Sequence, residues 1–213
     1  MNYGQDYVRE YLERTVLSGA FCGMVCFGMV MLVLLLLQKH DREFDIRMNG
    51  REYAFWAIIC ACVGGYIFAK SQGGWQNRGE DFLMLMYMML CCVTDYHTQK
   101  AYDAVQLGVC VLLVIGIWGK ETLASQGVEL IVFGGIQAGI FRRMYGEADT
   151  MGFLICALSL LEGGLWIWTL HMAITFLCLG IVQGWKHNIR KDGNLKVPVP
   201  LFPYMAAAYV LVF

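Results

Sequence analysis

Two aspartates, Asp95 and Asp149, are the residues of this 213-residue chain whose setting could do chemistry. Asp95 closes the apolar run 82–93 in the stretch CCVTDYHTQK, and Asp149 lies in RRMYGEADTMG, residues 142–152, just before another apolar run. A carboxylate beside so much hydrocarbon-seeking sequence is costly, and by default it marks a functional site. Two carboxylates brought together cannot easily both ionise, so they share a proton. The ionised member can take a proton from a water that attacks a peptide carbonyl. The protonated member can donate to the carbonyl oxygen or, later, to the leaving amine. Such a pair titrates as a unit, needs no metal and no Ser or Cys nucleophile, and leaves open which aspartate is the base.

Each aspartate also has a plainer reading. Asp is a preferred helix N-cap, and Asp149 ahead of Thr150-Met151-Gly152-Phe153 fits one. Asp95 and Asp103 fit interfacial charges with Lys100 nearby. On composition and position alone, helix ending and catalysis both stand.

The elements that must position these residues are membrane helices. Hydrophobic residues make up 58% of the chain and charged residues 15%, against about 25% charged in a soluble domain. Apolar runs recur from end to end, so the fold class is an all-α polytopic membrane protein, residues 1–213 forming one membrane domain. Runs such as 31–37 (MLVLLLL) do not alternate apolar and polar residues, which excludes a β-barrel. Net charge is −1, with no basic field for nucleic acid. All nine cysteines fall inside apolar runs and none forms a CxxC pair, so they read as small packing residues rather than metal ligands.

About eight spans follow. Two N-terminal helices lie in 15–70 (15–37 and 53–69), joined by a charged loop, 38–51. The first run is too long for a cleaved signal peptide. A Gly/Gln/Asn-rich stretch, 70–80, reads as an exposed loop. A six-helix core then occupies 81–213. Its first span has only 82–93 as purely apolar sequence, about 18 Å of helix. That is short of the roughly 30 Å of hydrocarbon, so the helix must take in Asp95, which falls at the membrane boundary. Spans at 101–118 and 123–141 come next. The run 151–161 repeats the logic and draws Asp149 toward the boundary. Span 165–183, a polar loop 184–197 and a last span 198–213 complete the chain.

With eight spans and the N-terminus outside, the inner loops carry eleven of the sixteen Lys and Arg residues. These are Lys39, Arg42, Arg47, Arg51, Lys100, Arg142, Arg143, Lys186, Arg190, Lys191 and Lys196. The positive-inside rule favours this orientation, and it puts both aspartates on the cytoplasmic face. Elsewhere, His171 and Gln137 read as interhelical hydrogen-bond partners, and Gly135 with Gly139 as a GxxxG packing device. Glu129 reads as reaching toward the interface, and Trp166, Trp168 and Trp185 as interfacial anchors. Met84, Met86, Met88 and Met89 read as lipid-facing or core packing.

The pattern around the aspartates resembles the type IV prepilin peptidase family, the bacterial GxGD-type aspartic membrane peptidases. Asp95 is followed by a short polar linker, Tyr96-His97-Thr98-Gln99-Lys100, where the family has Asp, a linker and Ile-Pro-Asn. Gly146-Glu147-Ala148-Asp149 is similar to GxGD at the start of a later span. Pro200-Leu201-Phe202-Pro203 follows a basic loop, similar to the family's Pro-Phe-Gly-Pro, and all three prolines (Pro198, Pro200, Pro203) fall there. The resemblance covers roughly residues 81–213. Ala148 replaces the second glycine, Ala101-Tyr102-Asp103 stands where Ile-Pro-Asn is usual, and the loop 38–51 lacks the two CxxC pairs of larger members.

What the resemblance implies is an endopeptidase of the bacterial cytoplasmic membrane that removes the basic leader from prepilins or pseudopilins. Asp95 and Asp149 would be catalytic, supported by Gly146, Glu147, Ala148, Lys100, Pro200 and Pro203. The family's second activity, S-adenosylmethionine-dependent methylation, is tied to the cysteine-rich domain this chain lacks, so no cofactor is implied. The rival class is a non-catalytic relative acting as a membrane scaffold or small transporter.

Overall fold

The computed structural model describes residues 3–40, 46–70, 75–118, 120–190 and 199–213, with side chains described at 15–39, 46–70, 79–118, 120–185 and 199–213. The described residues are helical, with no strand among them. Four helices are long and apolar enough to cross a membrane: Thr15–Lys39, Gly50–Lys70, Glu121–Tyr145 and Leu161–Trp185. Asp103–Ile117 and Phe202–Val212 are apolar but shorter. Of the expected eight spans, four meet this length and composition among the described residues. The contacts divide the chain into two compact units, Met1–Leu90 and Cys91–Phe213.

In the first unit, α1 (Tyr3–His40) packs on α2 (Gly50–Lys70). The helix begins ahead of the first apolar run and is continuous with it. One stripe of α1 is buried, Gly19, Gly23, Cys26, Val30 and Leu34, while Leu17, Phe21, Leu32 and Leu35 face outward as lipid-facing side chains do. A Cβ on Gly19 would lie 2.7 Å from the Gly64 carbonyl oxygen, and one on Gly23 would collide with that of Cys60. The backbones touch because glycine lets them. A capping box starts α2: Asn49 Oδ1 accepts the amides of Arg51 and Glu52, and Glu52 Oε2 accepts that of Asn49. The GxxxG that packs is thus Gly19/Gly23. Gly135 and Gly139, which read as such a pair, would have open space at their Cβ positions.

Helix α3 (Trp75–Thr98) begins inside the stretch expected to be loop. Met84, Met88 and Met89 are core residues in it, and burial runs unbroken from Tyr87 to Asp95. In the second unit, α4 (Asp103–Ile117), α5 (Glu121–Ile136), a π-helical turn Gln137–Phe141, and α6 (Arg142–Tyr145) lead into α7 (Glu147–Ser159). Helix α8 (Gly164–Arg190) continues through residues expected to open a loop, and α9 (Phe202–Val212) ends the chain.

Helix α7 is the centre of this unit, packed by α4, α8 and α9. Thr150, Gly152, Phe153, Ile155, Cys156, Ala157 and Leu158 are all buried. A helix apolar on every side belongs inside a bundle, which is why its 13 residues suffice.

His171 Nε2 meets the Met205 carbonyl at 3.0 Å, an interhelical bond between α8 and α9. Gln137 likewise donates to Met172 Sδ and accepts from the Tyr145 hydroxyl. Glu129 has a partner that its reading did not include, and Trp168 departs from its reading. Glu129 caps α8, its Oε2 accepting the Leu165 amide at 2.8 Å. Trp168 is a core residue whose indole donates to the Leu160 carbonyl at 3.0 Å, whereas Trp166 and Trp185 are exposed as anchors would be. All nine cysteines are free, and Cys26, Cys60, Cys91, Cys92 and Cys156 are buried.

Candidate active site

Asp95 sits in the last turn of α3. That turn closes with Thr98 Oγ1 donating to the Thr94 carbonyl at 2.7 Å and the Gln99 amide donating to the Asp95 carbonyl at 3.0 Å. Gln99, at φ 54°, ends the helix in the left-handed conformation that glycine usually supplies. The Asp95 side chain is 8% exposed, and its Oδ2 accepts the backbone amide of Phe202 at 2.9 Å. Phe202 is the first residue of α9, with Pro203 in the first turn, so this amide is one that the helix itself leaves without an acceptor. The partial positive charge of the helix end falls on the carboxylate.

Asp149 is the third residue of α7, not its N-cap. That place belongs to Gly146, whose φ of 105° and ψ of 169° lie in a region essentially reserved for glycine. The Gly146 carbonyl accepts both the Thr150 amide and the Thr150 hydroxyl, at 3.3 and 2.7 Å, which fixes the first turn. One residue ahead of Asp149, the Ala148 carbonyl accepts Gln106 Nε2 from α4 at 3.0 Å. The Asp149 carboxylate itself accepts no hydrogen bond among the described residues.

Phe202 touches Asp95 and the helix that carries Asp149. Its amide is on Asp95, while its ring lies where a Cβ on Gly152 would come within 3.0 Å. Gly152 follows Asp149 by three residues and shares its helix face. Both aspartates lie outside the four spanning helices. Burial, and then the charge of Asp95, push the Asp149 carboxyl up to about 7. Burial also raises Asp95, but the amides of Phe202 and Leu201 hold it back. Asp149 therefore feels the charge of Asp95, and the burden of neutralisation falls on Asp149.

Of the other residues singled out, Glu147 pairs with Arg142 at 2.8 Å on an exposed surface, a contact that contributes little. Gly146 and Ala148 shape the turn into Asp149. Pro203 lies in the first turn of α9, and Pro200 is half-buried just before that helix. Lys100 is exposed after α3, its amide on Thr98 Oγ1 at 3.3 Å. Pro198, Arg42, Lys191 and Lys196 lie outside the described residues, as do the side chains of Arg9, Arg14, Arg78, Lys186 and Arg190. Gln106 was missed, although a lone amide in the otherwise apolar stretch 104–117 signals an interhelical hydrogen bond. The Phe202 amide carries no side-chain signal at all.

No family model matches the chain, and no characterised protein or solved structure matches it either.

Proposed function

We propose that this chain is an aspartic endopeptidase that works at the membrane boundary and removes the basic leader from prepilin-like substrates. The observation that carries the reading is the influence of one carboxylate, the buried Asp95, on a second, the half-buried Asp149, contributed by a different helix. A carboxyl near neutrality beside one whose charged form accepts a main-chain amide is the kind of acid–base pair that peptide hydrolysis by water requires. The fuller topology belongs to this proposal. Helices α3, α4, α7 and α9 would add four crossings to the four long ones, with the N-terminus outside and both carboxylates at the cytoplasmic edge of the bacterial inner membrane. A signal-anchored substrate would then present its leader junction where no helix need unwind deep in lipid. Gly146, Glu147, Ala148, Lys100, Pro200 and Pro203 would frame the junction. Nothing in the reading calls for S-adenosylmethionine or a metal.

The test is leader removal from a co-expressed type IV prepilin. Asp95→Asn and Asp149→Asn, each present in the membrane at the wild-type level, should abolish it. Cleavage that survives either substitution ends the proposal.

One observation favours a non-catalytic reading, a membrane scaffold or small transporter. The Phe202 amide gives Asp95 a structural task, tying α3 to α9, that needs no reaction. Asparagine keeps an acceptor oxygen for that amide. A scaffold would therefore tolerate Asp95→Asn and lose stability only with Asp95→Ala.

A further inference from the structure

The fold treats the two aspartates unequally, and the inequality bears on a point that the sequence leaves open. Asp95 is gripped: Phe202 donates its amide to Oδ2 at 2.9 Å from the first residue of α9. Asp149, three residues before the Gly152 that the Phe202 ring covers, accepts no hydrogen bond among the described residues. A hydrogen bond to the charged form stabilises that form, and one at a helix N-terminus adds the helix dipole. The titratable groups that face Asp95 are Asp149 from α7 and Cys92 on its own helix. Gln106 of α4 and Phe202 of α9 bring no charge, and among the described residues no basic side chain pairs with either acid.

We infer that the main-chain amide of Phe202 is the positioning group of the site. It makes Asp95 the carboxylate that stays ionised and activates water, and leaves Asp149 as the carrier of the proton. The inference rests on the peptidase reading. In the forward step water oxygen bonds to the scissile carbonyl carbon, Asp95 takes the water proton, and Asp149 gives its proton to the carbonyl oxygen. In the second step the C–N bond breaks, and Asp95 passes its proton to the leaving nitrogen. Asp149 takes one back from the gem-diol, and the pair returns to its starting state. No other reactant enters.

Proline cannot serve as the probe for the amide, because Leu201 has φ −92° and ψ −32°, a conformation that a following proline disfavours. The clean change is an ester. Phenyllactic acid placed at position 202 by nonsense suppression keeps the ring against Gly152 and removes only the N–H. Losing a charge-assisted bond should raise the acidic limb of the pH–rate profile by about one to two pH units and leave the basic limb nearly where it was. Movement of the basic limb with the acidic limb fixed would overturn the inference.

Isotope-edited infrared titration of the carboxyls, with Asp95→Asn and Asp149→Asn to assign the bands, reads the same division without any cleavage. At neutral pH the band of a protonated carboxyl should belong to Asp149 and vanish in Asp149→Asn. A protonated Asp95 defeats the inference whether or not leaders are cut. An ionised Asp95 in a protein that cuts no prepilin supports the grip of the amide and defeats the peptidase reading instead.

Discussion

Asp95 and Phe202 stand 107 positions apart in the chain, yet the amide of one lies 2.9 Å from the carboxylate of the other. The contact joins the end of α3 to the start of α9. It places a polar acceptor where a helix N-terminus would otherwise be buried with its donors unmet. A catalytic candidate and a structural junction are thus the same atom.

From this follows a pH profile. Asp149 sits at about 7 and must be protonated to act as acid, so kcat/KM for leader removal should fall as pH rises through about 7. Burial raises the Asp95 carboxyl from its ordinary value while the Phe202 and Leu201 amides hold it back, and activity should fall again as pH drops through its value. A bell with a basic limb near neutrality is the expected result of assays on purified protein in detergent. A profile flat from pH 6 to 9 would contradict it.

Stability should carry the same signature. Burial raises the Asp149 carboxyl from 3.8 to about 7, so the folded state holds this proton more tightly than the unfolded state does. Its contribution is complete below the ordinary carboxylate range and is lost as pH rises toward 7. Asp149→Asn stays neutral throughout. The variant should melt close to wild type at pH 4 and above it at pH 8, by an amount on the order of 1–3 kcal/mol. Parallel melting curves across that range would remove the argument.

Gly146 makes a conformational demand that no other residue type meets. With φ at 105° and ψ at 169°, an added Cβ is strained even though it meets open space. Gly146→Ala should cost roughly 1–3 kcal/mol in thermal unfolding. It should also lower leader removal more than stability alone accounts for, because Asp149 lies three residues on. An unchanged melt would show that the turn can relax.

Gln106 should matter through the Ala148 carbonyl. Gln106→Leu keeps the apolar character of α4 but removes the 3.0 Å bond, at a cost of about 1 kcal/mol. Its effect on cleavage should appear in kcat rather than KM if the residue holds Asp149 rather than substrate, and a pure KM change would assign it to binding.

How much of this was legible in the sequence depends on the kind of interaction. Helical membrane character was plain from the apolar runs, because lipid leaves the backbone no other economical choice. The positions of Asp95 and Asp149 at the ends of short apolar stretches were also legible. Four of the eight apolar runs form helices long and apolar enough to cross, α4 and α9 are shorter, and α3 and α7, which carry the aspartates, fall outside that set. What could not be read was partnership. Nothing local distinguishes the exposed Gly135/Gly139 pair from the packed Gly19/Gly23 pair, since the difference lies in what stands opposite. The partners of Glu129 and Trp168 were hidden for the same reason: the N-terminus of α8 claims the one, and the carbonyl at the end of α7 the other. The Phe202 amide, a backbone group, has no letter in the sequence.

The glycine contrast is itself testable within one helix. A methyl group at Gly23 would be driven into the Cys60 carbonyl and to 2.9 Å from Ala61 Cα, backbone atoms that cannot rotate away. At Gly28, five residues on, it would meet nothing within 4 Å. Gly23→Ala must therefore push α1 from α2, and overpacking of this kind costs on the order of 1–3 kcal/mol. Gly28→Ala should be neutral or slightly stabilising, since alanine is the better helix former. Thermal unfolding of the two variants in the same detergent separates the effects. Equal melting temperatures would mean that the helices do not touch backbone to backbone at Gly23, and the account of the first unit would fail with them.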